Sequence, residues 1–348
     1  MDKVIVVTGG GTAGHIMPII ALIPEMKKHF DKIVYIGSKN GMEKDLVKRY
    51  APEIDFFGVE TIKFDRVKLL KNFKIPYVLL KGVKECREIY KQIKPSVIFS
   101  KGGYVSLPAV LASGKIPVVS HESDTTLGLA NKIAYLKTSV LCTSFNQTAS
   151  RYKKAVYTGL PIRNFDDKEK RSTFRFKPHL PILLVVGGSL GAKTINETLI
   201  TIVDKLCEHF NIVHIVGRGN YSLGKFPINY NQFEFIDDLG YVYSVANYAV
   251  SRAGANAIAE LLYHNIPMLL IPLSKKVSRG DQEQNAKMLK EKGYCNVLYS
   301  DNLTPQNLYN EIMFLKQTGN EIKQKQQKQN GNAVYSVMEQ IVKTAKIT

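Results

Sequence analysis

Two stretches of the chain share one pattern of apolar and small residues. Residues 4–14 carry Val4, Ile5, Val6 and Val7, then a glycine turn, then the start of a helical pattern. Residues 182–192 repeat the scheme, with Ile182, Leu183, Leu184, Val185 and Val186 ahead of Gly187 and Gly188. A continuous β-branched run has no polar face, so it predicts a strand buried on both sides, as in a parallel sheet. A glycine turn from such a strand into a helix opens the first βα unit of a Rossmann-like half. Further strands are expected at 32–37, 96–100 and 116–120, and again at 211–217, 249–251 and 266–271. Helical spacing lies between them, for example over 43–49 and 195–210. This alternation predicts βαβ units and two parallel sheets.

At 348 residues the chain exceeds what a single core usually supports. The expected division is a first domain over 1–161 and a second over 162–331. The boundary falls in the charged, aperiodic stretch 159–181, which holds Pro161, Pro178 and Pro181. Residues 332–348 are amphipathic and predict a helix that crosses back to the first domain. The Lys/Gln-rich stretch 323–329 is a solvated helix face.

Composition narrows the chemistry. Hydrophobic content of 45% and charged content of 22% are those of an ordinary globular protein rather than a disordered chain. The net charge of +18 calls for an anionic partner: nucleic acid, anionic lipid or a phosphorylated substrate. Cys86, Cys142, Cys207 and Cys295 are scattered, with no C-x-x-C pair, which argues against a disulfide framework or a metal site. The N-terminus enters a strand directly, so no signal peptide is expected. The most apolar stretch, 257–273, is broken by Glu260, His264, Asn265, Pro267 and Pro272 and is not expected to cross a bilayer.

Four clusters carry candidate chemistry. The first is Gly9-Gly-Gly-Thr-Ala-Gly-His15. Glycines let backbone N–H groups approach a phosphate, and a helix N-terminus adds positive potential. The spacing is not the dinucleotide G-x-G-x-x-G, but a histidine directly after the loop is expected at the helix start facing a cleft, as a functional group against a plain capping or exposed histidine. The second, Gly187-Gly-Ser-Leu-Gly-Ala192, offers the Ser189 hydroxyl for a diphosphate or as an N-cap. The third, Ser251-Arg-Ala-Gly-Ala-Asn-Ala257, opens a helix in which Glu260 either takes two ribose hydroxyls or only pairs with the helix dipole. The fourth, Ser278-Arg-Gly-Asp-Gln-Glu-Gln-Asn-Ala286, is a dense polar cluster opening a helix at a strand's carboxyl end, where open α/β sheets bind ligands. A D-x-D sequence, a Walker loop, a G-x-S-x-G elbow and HExxH are all absent from the sequence. Leaving-group charge would then fall to helix dipoles, backbone N–H groups and Arg or Ser side chains, with no metal and no cofactor. Finally, residues 63–94 mix lysines with bulky apolar residues. Such a surface either meets an anionic bilayer or packs its apolar face in the core.

Taken together, Thr8-Gly-Gly-Gly-Thr-Ala-Gly-His15, Lys101-Gly-Gly-Tyr-Val-Ser106, His121-Glu122, Gly159-Leu-Pro-Ile-Arg163, Gly187-Gly-Ser-Leu-Gly191, Ser251-Arg-Ala-Gly254 and Gly280-Asp-Gln282 occur in order over nearly the whole chain. In this the sequence resembles the peptidoglycan N-acetylglucosaminyltransferase (MurG) family. The resemblance implies a GT-B fold, with two Rossmann-like domains facing across a cleft. It implies inverting transfer of N-acetylglucosamine from UDP-N-acetylglucosamine to the 4-hydroxyl of the muramyl sugar of lipid I, giving lipid II. It also implies peripheral attachment to the cytoplasmic face of the cell membrane, through a basic and apolar surface of the first domain. Carried over by position, Ile236 meets the uracil through its backbone and Glu260 the ribose. Arg163, Ser189, Ala255, Asn256 and Ala257 meet the diphosphate, and Gln282 meets the transferred sugar. Thr12, Ala13, Gly14, Tyr104 and Asp124 face the acceptor. His15 is the candidate base and Glu122 its rival.

The sequence departs from that family's pattern in three places. Ala13 stands where glycine is usual, Asp124 where many members have Asn, and Asn256-Ala257 where some have Leu-Thr. These bear on donor affinity and the exact contacts. Competing expectations are a diacylglycerol-type lipid glycosyltransferase, a nucleotide-sugar epimerase, and a nucleic-acid-binding module. The acceptor-side motifs argue against the first, the basic apolar surface against the second. The third lacks a recognition helix or an aromatic strand motif.

Overall fold

A computed structural model describes residues 2–64, 69–163, 174–188, 191–236, 239–278, 280–327 and 333–347, without the side chains of 69–71. Its contacts divide the chain into two units, residues 1–163 with 331–348, and residues 164–330.

The first unit runs β1 (Val4–Gly9), α1 (Ala13–Met26), β2 (Lys32–Ser38), α2 (Glu43–Tyr50), β3 (Asp55–Val59), α3 (Ile75–Ile93) and β4 (Val97–Gly102). It continues with α4 (Leu107–Leu111), β5 (Val118–Glu122), α5 (Leu129–Ala134), β6 (Val140–Thr143), α6 (Asn146–Ala149) and β7 (Ala155–Tyr157). The strands form one sheet in the order β3-β2-β1-β4-β5-β6-β7, every pairing parallel. Every residue of β1 and of β4 is buried, as their apolar runs require for central strands covered on both faces. Thr8 pairs with Ser100 but Gly9 pairs with Gly102, so the β1–β4 register slips by one residue at Lys101. A bulge of this kind re-aims a side chain at the strand's end.

The second unit runs β8 (Ile182–Val186), α7 (Lys193–Ile200), α8 (Val203–Leu206), β9 (Asn211–Ile215), β10 (Tyr230–Phe233), α9 (Gly240–Val245) and β11 (Tyr248–Ser251). It ends with α10 (Ala255–Tyr263), β12 (Met268–Leu270), α11 (Asp281–Glu291), β13 (Asn296–Val297) and α12 (Pro305–Gln326). Its sheet has the order β10-β9-β8-β11-β12-β13, again all parallel. The helix expected over 195–210 is two helices. Ile202 leaves helical geometry, with φ −121° and ψ 6°, and the Thr201 hydroxyl donates to the Thr198 carbonyl. Thr198, Ile200, Thr201 and Ile202 form a β-branched cluster, and back-bonding hydroxyls compete with the helix ladder there. The strand expected over 266–271 shortens to Met268–Leu270, because Pro267 has no N–H for a ladder.

The last helix, α13 (Ala333–Ala345), buries Val337, Met338 and Ile341 in the first unit's core beside Ile16, Ile19 and Ile23. The four cysteines are free and buried, and burial pushes the Cys86, Cys142 and Cys295 thiols up to about 12.

Candidate active site

In both sheets the strand order reverses once, between β1 and β4 and between β8 and β11. Loops leaving the carboxyl ends of strands at such a switch point diverge and leave a crevice, the usual ligand site of an open α/β sheet. The glycine loops lie at these two points.

In the first unit the turn after β1 delivers Thr12 as the N-terminal flank of α1. Its hydroxyl does not cap the helix. It lies 3.0 Å from His15 Nδ1 and so orients the imidazole in the first turn. The turn rests on Glu43, the first residue of α2, which is fully buried. Its Oε1 accepts the Gly11 N–H at 2.6 Å, while Oε2 has no hydrogen-bond partner among the described residues. A Cβ on Gly10 would lie 2.1 Å from Glu43 Oε1, and one on Gly11 2.5 Å from Tyr104 Cε1. Gly11 also has φ +82°, so the turn needs glycine for both backbone and space. Burial and the Glu43 carboxylate raise the Tyr104 hydroxyl pKa. Gly103 brings its backbone against Gly10 O and the His15 ring.

The turn after β5 holds the second acceptor-side motif. Glu122 Oε1 accepts the Asp124 N–H at 3.0 Å. Its Oε2 accepts Gly128 N–H at 3.0 Å and Asn131 Nδ2 at 2.9 Å. Burial raises the carboxyl pKa, with the Asp124 charge adding to the rise. Three donors on a buried carboxylate make Glu122 a latch for the turn. His121 Nε2 lies 2.8 Å from Gly159 O, and burial holds the ring neutral.

In the second unit Gly187, Gly188 and Gly191 shape the turn after β8. A Cβ on Gly191, at φ +74°, would lie 1.9 Å from Val216 O. Ser189 lies outside the described residues. After β11, Gly254 flanks α10 without a side-chain cap, so Ala255, Asn256 and Ala257 present the first turn of a nine-residue helix. Such a first turn suits an anion. Arg252 does not point its guanidinium at that turn. It donates to Ile271 O, Ser300 Oγ and Thr194 Oγ1, each at 3.1 Å. Glu260 is the sixth residue of α10, too far along for a first-turn dipole pair. Its Oε2 accepts the Tyr243 hydroxyl at 2.7 Å, and Tyr243 stacks on His264 with centroids 4.9 Å apart. Gln282 Oε1 accepts the Leu273 N–H at 2.9 Å, tying the start of α11 to the end of β12. Half-buried Ile236 follows Phe235, beside an open cavity of about 640 Å3 lined by Arg218, Tyr221, Gln232, Phe233, Glu234 and Phe235.

The structure thus brings Thr12, Ala13, Gly14, His15 and Tyr104 together in the first unit, with Glu122 and Asp124 on the neighbouring strand end. It gathers Ala255, Asn256, Ala257 and Glu260 on one helix. Arg163, expected at the diphosphate, belongs to the first unit, with its guanidinium 5.5 Å from the Tyr50 ring centroid. Glu43, Lys101 and Tyr243 were not assigned site roles from the sequence, and only Lys101 lay within one of the motifs, Lys101-Gly-Gly-Tyr-Val-Ser106.

Comparison with known proteins assigns this arrangement. The glycosyltransferase family 28 N-terminal domain matches residues 5–140 and the family 28 C-terminal domain residues 182–341. The fold and site therefore define a glycosyltransferase of the GT-B class. Among solved structures, Acinetobacter baumannii MurG superposes with a TM-score of 0.77 at 26% identity, over 98% of this chain and 99% of that one. A UDP-N-acetylglucosamine–N-acetylmuramyl-(pentapeptide) pyrophosphoryl-undecaprenol N-acetylglucosamine transferase of Clostridium botulinum (strain Alaska E43 / Type E3) is 42% identical over 98% of both chains. The second such transferase of Bacillus anthracis is 40% identical over 97% of this chain and 99% of its own. The chain belongs to this MurG family of N-acetylglucosamine transferases.

Proposed function

We propose that the protein transfers N-acetylglucosamine from UDP-N-acetylglucosamine to the 4-hydroxyl of the muramyl sugar of lipid I, releasing UDP and lipid II with inversion. The observation that carries this is the start of α10 behind its glycine N-cap followed by Glu260, whose carboxylate Tyr243 holds. A diphosphate on the first turn and a ribose on the carboxylate are what a nucleoside diphosphate donor requires. Ala255, Asn256, Ala257 and Ser189 receive the diphosphate, Glu260 the ribose, Ile236 the uracil and Gln282 the sugar. Arg163, whose guanidinium lies over the Tyr50 ring, is the first unit's contribution to the diphosphate.

On the first unit, Thr12, Ala13, Gly14, Tyr104 and Asp124 receive the acceptor. His15 takes the 4-hydroxyl proton as the oxygen bonds to the anomeric carbon. The bond from that carbon to the donor phosphate breaks, and the α10 N-terminus offsets the charge on departing UDP. His15 is preferred to Glu122 because both Glu122 oxygens already accept from donors of its own turn and α5.

The enzyme works at the cytoplasmic membrane face. No described helix is long and apolar enough to cross a membrane. Phe64, Phe73, Tyr77 and Leu80 are nonetheless exposed, with Phe73 at 81%, and Lys74 and Lys81 stand among them. That surface suits anionic headgroups. Residues 65–68 of the stretch lie outside the described residues.

The test is label transfer from radiolabelled UDP-N-acetylglucosamine to a short-chain lipid I analogue, in wild type, His15→Ala and Glu260→Ala. Transfer that loses turnover in the first variant and donor affinity in the second supports the reading. Tight UDP-sugar binding without transfer to this acceptor would overturn it.

A further inference from the structure

We propose that Lys101 is a positioning residue whose buried ammonium offsets the carboxylates of the Glu122–Asp124 turn, so that the turn can receive an anionic diphosphate acceptor. The inference rests on the acceptor chemistry proposed above and assigns a role to a residue which that chemistry leaves unused.

The placement begins with the β4 bulge. The register slip at Lys101 turns its side chain off the ladder at the carboxyl end of the sheet. The stem passes directly behind the first glycine turn, because a Cβ on Gly9 would lie 3.0 Å from Lys101 Cβ. The residue is 1% exposed, and its Nζ donates to Ser123 Oγ, between Glu122 and Asp124 in the chain. The charged and titratable groups facing it are those two carboxylates and the His121 ring, which lies on β5 with its Nε2 at Gly159 O. Glu122 is fixed by three donors and cannot swing away. Burial lowers the Lys101 pKa to about 8, and the two carboxylates act in the opposite direction. An ammonium held in such a place is costly to bury, and two carboxylates beside it are what retain its charge. Asp124 adds a negative charge on the face that the acceptor would approach. Lys101 brings the local sum back toward neutral from behind the turn.

Lys101→Met keeps the apolar stem and removes only the charge. Initial rates are measured while acceptor and donor are varied separately. The expected result is a rise in acceptor KM of about tenfold with donor KM unchanged. Added salt should lower the variant's acceptor KM back toward wild type as the repulsion is screened. In Lys101→Met/Asp124→Asn the charge imbalance is gone, and acceptor KM should return most of the way. Ser123→Ala, which only loosens the ammonium, shifts acceptor KM in the same direction by less and serves if Lys101→Met does not fold. An unchanged acceptor KM, or a rise that neither salt nor Asp124→Asn relieves, overturns the proposal. If wild type transfers nothing to the lipid I analogue, the functional reading fails instead. Calorimetric titration with inorganic pyrophosphate then decides for Lys101, with weaker binding by Lys101→Met expected and equal binding overturning the role.

Discussion

Replacing Glu43 with Ala removes a buried side chain that holds the first glycine turn. Glu43 Oε1 accepts the Gly11 N–H at 2.6 Å, while Gly10 and Gly41 press against the same carboxyl group. A hydrogen bond to a buried charged group contributes about 1.5–3 kcal/mol. Losing the buried Oε2, which has no hydrogen-bond partner among the described residues, returns part of that, and the vacated space costs some again. A net loss of about 2 kcal/mol in a unit of this size lowers its melting temperature by about 4–8 °C. The kinetic effect is larger, because the turn sets where Thr12 places His15. A displacement of roughly 1 Å at the reacting group costs up to about a hundredfold in rate. Glu43→Ala is therefore expected to lose between about ten- and a hundredfold in kcat. Donor KM should change little, since the proposed donor residues other than Arg163 belong to the other unit. Glu43→Gln keeps an acceptor for Gly11 and should stay within about fivefold of wild type, the equivalent of roughly 1 kcal/mol. Melting curves and initial rates of lipid I glycosylation, taken well below the variant's melting point, read both effects. A Glu43→Ala enzyme that melts early but turns over at wild-type kcat would show that the turn holds its shape unaided, and would refute the reasoning.

Two further predictions concern the second unit. His214 is buried on β9, with Nδ1 2.8 Å from the Tyr230 hydroxyl and Nε2 3.1 Å from Asn196 Oδ1, and burial lowers its pKa to about 3. The unfolded ring titrates near 6.5, so between these values the unfolded chain binds a proton that the folded chain refuses. The contribution is complete above pH 6.5 and is lost as pH falls toward 3, at about 1.4 kcal/mol per unit. Urea unfolding should show wild type losing about 2 kcal/mol between pH 6.5 and 5 relative to His214→Gln; equal losses would sink the assignment. Tyr243→Phe removes the hydroxyl that holds Glu260. It should weaken UDP-N-acetylglucosamine binding about five- to tenfold in calorimetric titration, the equivalent of one hydrogen bond, with little change in kcat. Unchanged affinity would mean that Glu260 is held by other means or does not meet the ribose.

What could be read from the chain follows from how far each signal reaches. β1, β4, β8 and β9 carry apolar runs that only a doubly covered parallel strand accommodates, so pattern alone locates them. β10, with Tyr230, Asn231, Gln232 and Phe233, lies at a sheet edge and needs no such run, and β13 has two residues. β3 likewise sits at an edge, and its sequence from Asp55 is only half apolar. The glycine turns were legible for a similar reason: backbone that must approach a phosphate or adopt positive φ excludes side chains locally. Supporting groups leave no local trace. Glu43 stands 32 residues from the Gly11 N–H it holds and Tyr243 stands 17 from Glu260. Either could be a surface residue of an amphipathic helix as far as its neighbours in sequence show. Glu122 illustrates the converse. A carboxylate beside His121 has the residue type of a general base, yet its oxygens are already engaged by Asp124 N, Gly128 N and Asn131 Nδ2. Residue type gives a group its chemistry, but only its hydrogen-bond partners decide whether that chemistry is still available. For that reason the proposal of His15 rather than Glu122 as the base is argued from the turn after β5 rather than from either motif.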